Sequence, residues 1–254
     1  MLEARQLTKR YSGLAAVNQA SFTVAPGEVL GYLGPNGSGK STTVKMITGL
    51  IDPTDGLILF NGEPIQRDMT AFKRRLGYVP EEAFLYPYLS GREYLQLIGR
   101  LRGMREERMN PKIDALLDLF QLTPSRHSLL SSYSKGMRQK VLISAALLDD
   151  PDLLVFDEPL SGLDVTSALI FRNLVRQLGL QGKMILYSSH VLEVVEKVCS
   201  KIIILRRGEL VANDSVTALR DLMSLKSLED IFAQLTQQED TESTARQIVE
   251  VMRA

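Results

Sequence analysis

The residues with the clearest chemical purpose run from Gly34 to Ser41, Gly-Pro-Asn-Gly-Ser-Gly-Lys-Ser. Their order fits the phosphate-binding loop pattern: a glycine, four residues, then Gly-Lys-Ser or Gly-Lys-Thr. Glycines let the backbone bend until consecutive N–H groups converge and form an anion nest. A helix expected from about Ser41 to Gly49 aims its positive N-terminal end at the same point. Lys40 brings a point charge for the outer phosphates, and the Ser41 hydroxyl can ligate Mg2+. The residues from Glu28 to Leu33 read as a short buried strand, the strand–loop–helix context the motif needs. At average glycine content, a chance glycine-rich turn would match this pattern in roughly one chain in a hundred of this length.

A second candidate group lies far downstream. Leu153-Leu-Val-Phe-Asp157-Glu158 is an apolar strand that ends in two carboxylates. In phosphate-loop enzymes the strand beside the loop holds Mg2+ through an acid at its carboxyl end, and Asp157 fits that place. Glu158 points elsewhere and can align or deprotonate an attacking water. Taken alone, the pair also reads as a solvated Asp-Glu turn before Pro159. The loop upstream favours chemistry.

The elements that must position these groups follow from pattern. Leu2 to Tyr11 and Ala20 to Val24 alternate polar and apolar residues as half-buried strands do. Pro53-Thr-Asp-Gly56 turns into a strand from Leu57 to Phe60, and Asn61-Gly62 marks a tight hairpin. A short basic helix around Phe72–Arg75 precedes a strand at Leu76–Val79. From about Ser90 to Asp150 the pattern is helical: Ser90 caps a helix with Tyr94, Leu95, Leu97, Ile98 and Leu101 at helical spacing. A second helix carries Ile113, Leu116, Leu117 and Phe120, and a third runs from Ser134 to Leu148. Then β-α-β alternation resumes: strand Asp152–Phe156, helix Asp164–Leu178, strand Met184–Tyr187, helix His190–Val198, strand Ile202–Leu205 and a hairpin at Arg207-Gly208. Beyond about Ala212 come short helices, the polar stretch 237–243, and a final amphipathic segment with Ile248, Val249, Val251 and Met252.

Composition bounds the rest. The 254 residues are 44% hydrophobic and 24% charged, with formal net charge zero, so no bulk electrostatic pull toward nucleic acid is expected. The single cysteine, Cys199, excludes an internal disulfide and suits a reducing compartment. It reads best as a small buried apolar residue ahead of a strand. No apolar run reaches the ~18 residues of a membrane helix, and the first residues show no signal core. These readings lead us to expect a soluble, cytoplasmic chain.

In combination the strings resemble a known family. The phosphate loop, Tyr133-Ser-Lys-Gly-Met-Arg-Gln-Lys140, Leu-Val-Phe-Asp-Glu-Pro159, Ser-Gly-Leu-Asp164 and Ser-Ser-His190 are similar, in order, to the ATP-binding subunit of an ABC transporter. The resemblance spans residues 1 to about 212. It implies an α/β fold: a phosphate-loop ATP-binding cassette with a mixed sheet core, an antiparallel β subdomain and an α-helical subdomain at about 88–150. Residues 213–254 then form a C-terminal helical extension. It implies ATP and Mg2+ as cofactors, with Tyr11 stacked on adenine. Gly34, Pro35, Asn36, Gly37, Ser38, Gly39, Lys40, Ser41 and Thr42 cradle the triphosphate, while Ser41 and Asp157 hold the metal. Glu158 activates water and His190 contacts the γ-phosphate. Ser134, Lys135, Gly136 and Met137 close over ATP held by a second ATP-binding subunit, the same chain or a homologous one, in a head-to-tail dimer. Asp164 communicates across that dimer. Taken alone, Ser134 and Asp164 read as ordinary helix caps, Tyr11 as a strand aromatic on the core, and His127 as a loop residue without a role.

Two departures qualify the resemblance. The family usually places a glutamine after the Leu76–Val79 strand, where this chain has Glu81, a carboxylate able to ligate Mg2+ and assigned to the catalytic group. The usual Leu-Ser-Gly-Gly-Gln is here Tyr133-Ser-Lys-Gly-Met137. Both, with Ser227-Leu-Glu-Asp-Ile-Phe232, resemble the ABC-2 export type. The apolar loop Phe84-Leu-Tyr-Pro-Tyr-Leu89 reads as a partner surface, which the resemblance implies is the docking site of integral membrane permease subunits, or as packing for the helical block. The resemblance thus places the chain peripherally on the inner face of the membrane, with no nucleic acid partner. A soluble ABC-type ATPase acting on ribosomes, chromosomes or cluster assembly is the alternative. A nucleotide kinase or GTPase is disfavoured by the Tyr133–Lys140 string.

Overall fold

Polar–apolar alternation starts the chain as a sheet. In the computed structural model, which describes residues 1–223, 227–236 and 249–252, strand β1 (Leu2–Tyr11) buries Leu2, Ala4 and Leu7. It pairs antiparallel with β2 (Leu14–Val24). That strand starts earlier than the Ala20 expected from sequence, because register shifts let it follow β1 back to the hairpin tip at Tyr11↔Leu14. Next come β3 (Val29–Leu33), α1 (Lys40–Ile47), β4 (Asp55–Phe60) and β5 (Glu63–Pro64). Asn61 and Gly62 take φ 52° and 85° between β4 and β5, as a two-residue hairpin requires. The small sheet has the order β2-β1-β4-β5.

Helix α2 (Met69–Arg74) and strand β6 (Leu76–Val79) lead into a helical block of α3 (Gly91–Leu101), α4 (Glu106–Leu119) and α5 (Lys135–Leu147). Ser90 opens α3 with a capping box: its Oγ accepts from Glu93 N at 3.2 Å, and its own N–H donates to Glu93 Oε2 at 2.8 Å. Tyr94, Leu95, Ile113, Leu117, Val141 and Leu148 form a core of their own. Leu101, expected on the inner face of α3, is 73% exposed. It is the last helical residue, and the chain turns away at Gly103, φ 76°.

The remaining elements are β7 (Leu153–Asp157), α6 (Val165–Leu180), β8 (Met184–Ser188), α7 (Leu192–Val198), β9 (Lys201–Arg206), β10 (Glu209–Asp214), α8 (Val216–Met223) and α9 (Leu228–Thr236). The large sheet runs β10-β9-β3-β8-β7-β6, parallel except for the antiparallel β10 edge. Strands β3, β7 and β8 are buried at every position, as strands covered on both faces should be. One face packs on the antiparallel sheet and α1 through residues such as Leu30, Tyr32, Val155 and Leu186. The other packs on α5, α6 and α7 through Leu154, Phe156, Phe171 and Val175.

Three edges differ from the sequence reading. Helix α7 begins at Leu192, which leaves His190 in the turn before it. Strand β10 continues through Asp214, since Asn213 and Asp214 pair with Ile203 and Ile202. Strand β8 lies between β3 and β7, so the acidic strand is next but one to the phosphate-loop strand. Val216, Leu219, Leu228 and Ile231 of α8 and α9 are buried in the same core as β8 and α6. The polar stretch 237–243 and Ile248 lie outside the described residues, and Val249, Val251 and Met252 are exposed. Cys199 is buried and burial pushes its thiol up, which fits a packing role. No helix among the described residues is long and apolar enough to cross a membrane.

Candidate active site

Parallel strands deliver everything that follows them to one edge of the sheet. The carboxyl ends of β3, β6, β7 and β8 carry the phosphate loop, Glu81, Asp157–Glu158 and Ser189–His190. All of these except the buried Ser38 and Ser189 line a single cleft of about 650 Å3. Of the residues singled out in the sequence, Gly34, Pro35, Asn36, Gly37, Gly39, Lys40, Ser41, Thr42, Glu81, Asp157, Glu158 and His190 meet there.

The loop's shape has local causes. Gly39 sits at φ 110°, and a Cβ there would meet the Ala16 carbonyl oxygen at 2.3 Å, so only glycine fits. It caps α1 with no side-chain acceptor, leaving first-turn N–H groups free to face an anion. The β9–β10 hairpin braces the loop, with Gly208 N donating to Ser38 O at 2.9 Å. Ser38 Oγ is buried beside Gly34 without a hydrogen-bond partner among the described residues. Lys40 Nζ donates to Gly34 O at 2.6 Å and Pro35 O at 3.2 Å, which holds the ammonium in the mouth of the loop.

Charge is concentrated here. Burial pushes Lys40 down, while Glu158, Asp157 and Glu81 oppose that shift. Asp157 is buried, and desolvation raises it, reinforced by Glu81 and Glu158; its cross-strand neighbour Ser188 and Lys40 pull the other way. A carboxylate held so reluctantly in its ionised form is a natural cation ligand. With the Ser41 hydroxyl and Glu81 it forms a hard oxygen donor set of the kind Mg2+ takes together with phosphate oxygens. These residues fit the metal.

Glu158 adopts φ 47°, a left-handed conformation that costs a non-glycine residue about 1–2 kcal/mol. Its N–H still donates to Ser188 O at 2.9 Å. The backbone turns sharply there, so the two consecutive carboxylates take different surroundings. Glu158 Oε2 accepts from Ser189 Oγ at 3.2 Å, and Oε1 lies 2.8 Å from His190 Nδ1. At that separation Nδ1 carries the proton, and Nε2 is left for another partner. The His190 side chain is 73% exposed and that of Glu158 14%. The pair therefore spans from sheet edge to cleft mouth.

Other singled-out residues lie elsewhere. Tyr11 is half exposed at the β1–β2 hairpin tip, with Lys9 Nζ 5.6 Å from its ring centre; it does not line the cleft. Ser134 N-caps α5, accepting from Met137 N at 3.2 Å. Neither it nor Lys135, Gly136 or Met137 borders the cleft. A Cβ on Gly136 would meet Gly162 O at 2.5 Å, so this helix start packs tightly on the Ser161–Asp164 turn. Asp164 N-caps α6 through Ser167 N at 2.9 Å and lies 3.7 Å from Lys140 Nζ. Among the loop residues, Phe84 and Tyr88 are more than four-fifths exposed and Tyr86 well over half, while Leu85 and Leu89 pack inward.

Ala16, Leu192 and Phe232 also line the cleft, and the sequence offered no sign of it. Ala16 and Leu192 carry no chemistry, and Phe232 sits 192 positions after Lys40 in a helix that only tertiary packing returns to the site.

Comparison with known proteins sharpens the reading. Residues 17–161 match the family model described as ABC transporter. The chain is 36% identical over 230 residues to the ABC transporter ATP-binding protein NatA of Bacillus subtilis, covering 90% of this chain and 94% of that one. It is 35% identical over 218 residues to Nod factor export ATP-binding protein I of Paraburkholderia xenovorans, covering 86% and 72%. A solved structure described as the ATP-binding subunit of an ABC transporter superposes with a TM-score of 0.88 at 32% identity, covering 92% of this chain and 99% of that one.

Proposed function

Because this chain belongs to the ABC transporter family, as an ATP-binding and ATP-hydrolysing cassette, we propose that it energises an exporter through a head-to-tail dimer. Each phosphate loop then faces the partner's Ser134–Met137 segment, whose exposed capped helix start supplies N–H groups to the γ-phosphate. The Glu158–His190 contact at 2.8 Å, next to the phosphate loop, carries the catalytic assignment. Glu158 accepts the proton of the attacking water. His190, oriented by that contact, directs Nε2 outward and donates from it to the γ-phosphate when both ring nitrogens carry protons. Lys40 and the loop N–H groups bind and orient the triphosphate. Ser41, Asp157 and Glu81 hold Mg2+, which supplies charge neutralisation on the phosphates when bound. Tyr11 stacks on adenine once the partner subunit closes, and Asp164 communicates across the dimer.

In this reading the ATP-binding domain spans residues 1–212, the helical subdomain occupies about 88–150, and residues 213–254 are a C-terminal extension. Export is favoured by the relative named for Nod factor export and by Glu81 and the Lys-Gly-Met string. Membrane permease subunits dock on the exposed Phe84, Tyr86 and Tyr88, placing the chain on the cytoplasmic face of the membrane. The test is Glu158→Gln: turnover falls about 10²–10³-fold, ATP affinity stays within a few fold, and ATP-bound dimer accumulates in gel filtration. Near-normal turnover sinks the assignment. Co-purification from detergent-extracted membranes tests the partner; recovery with ribosomal or assembly proteins instead would favour a soluble ATPase.

A further inference from the structure

At the amino end of β6, the far end of that strand from Glu81, four cations gather round one concavity. Arg102, Arg105, Arg108 and Lys112 line a pocket of about 410 Å3, with Asp149 as its single carboxylate. It is formed by the turn after α3, the first half of α4 and the residues following α5. The whole chain has formal net charge zero, so this excess is local. Of the two acids in the first turn of α4, Glu106 is taken by Arg100 at 2.8 Å and Glu107 does not line the pocket. Among the described residues Arg105 and Arg108 make no ion pair.

Two of the four cations are anchored to backbone. Arg102 Nη2 donates to Leu76 O at 2.9 Å and Lys112 Nζ to Leu148 O at 3.3 Å. Arg102 Nη1 is buried and has no hydrogen-bond partner among the described residues. Like charges around a concavity repel, and an anion between them relieves that. Guanidinium forks match the paired oxygens of phosphate groups. A surplus of several cations suits a multiply charged group better than one carboxylate. Three residue steps at ~3.3 Å each put this pocket about 10 Å along β6 from the end that leads to Glu81.

We propose that this pocket binds a multiply charged phosphate group, carried by a soluble phosphate compound or by a phospholipid headgroup, at a site separate from the nucleotide cleft. The test uses the full chain with its nucleotide cleft saturated by Mg-ADP. Pyrophosphate is titrated calorimetrically, and sedimentation is measured with vesicles of phosphatidylcholine alone or with phosphatidic acid, a phosphomonoester, added. Arg105 and Arg108 are exposed, so the Arg105→Ala, Arg108→Ala double variant should fold and hydrolyse ATP as the parent does. Binding that weakens at least about tenfold in that variant supports the site; Arg102→Lys, which keeps the charge and loses the fork, should weaken it less. Pyrophosphate binding identifies the soluble source, and capture by anionic vesicles alone identifies the headgroup. Failure of both probes, or binding indifferent to the double variant, overturns the proposal.

Discussion

Two helices of this molecule begin in ways suited to anions, and they are built oppositely. Helix α1 starts at Gly39 with no side-chain cap, inside a cleft, with buried Lys40 at its first position. Helix α5 starts at Ser134, whose hydroxyl already satisfies Met137 N, on an exposed surface outside the cleft. The first is held open by neighbours: the Ala16 carbonyl behind Gly39 and the β9–β10 hairpin against Ser38. The second has only its Met137 N–H satisfied by its own cap, and rests on the Ser161–Asp164 turn through Gly136. One is a complete half-site within this chain, and the other is a surface ready to complete a site elsewhere.

That contrast can be broken by experiment. Lys40→Ala should weaken ATP binding by about 10²-fold, since it removes a buried charge-assisted donor; equilibrium dialysis with labelled ATP measures it. Ser134→Arg should leave ATP affinity of the isolated chain unchanged while turnover falls by at least about tenfold. If affinity and turnover drop together, Ser134 serves its own chain's fold and the head-to-tail arrangement loses support. The smallest effect is on stability. Asp157 is raised in the folded chain, so once the pH passes the ordinary carboxylate range its ionisation costs folding free energy. Asp157→Asn should therefore raise the melting temperature, while abolishing Mg2+-dependent hydrolysis. Differential scanning calorimetry across pH should show that gain shrinking toward acid, where the parent's carboxyl is protonated too.

Much of this was legible because it is local. Ser90, Ser134 and Asp164 cap helices where their residue type and the apolar spacing behind them say they should. The phosphate loop is read from eight consecutive residues. Leu101 and the start of α7 were misread for the same reason: periodicity senses a helix but not where neighbouring elements end it. Phe232 was missed entirely, because no spacing rule links a residue of α9 to a loop formed by residues 34–41.

What the sequence determined alone, then, is each local geometry: glycines for a left-handed turn, caps for helix starts, apolar runs for strands buried on both faces. Strand order was decided only by the tertiary structure. Setting β8 between β3 and β7 is what brings His190 within 2.8 Å of Glu158 and both to the phosphate loop. Pairing between strands more than a hundred residues apart is governed by how both faces of the sheet are covered at once, and no single segment carries that information.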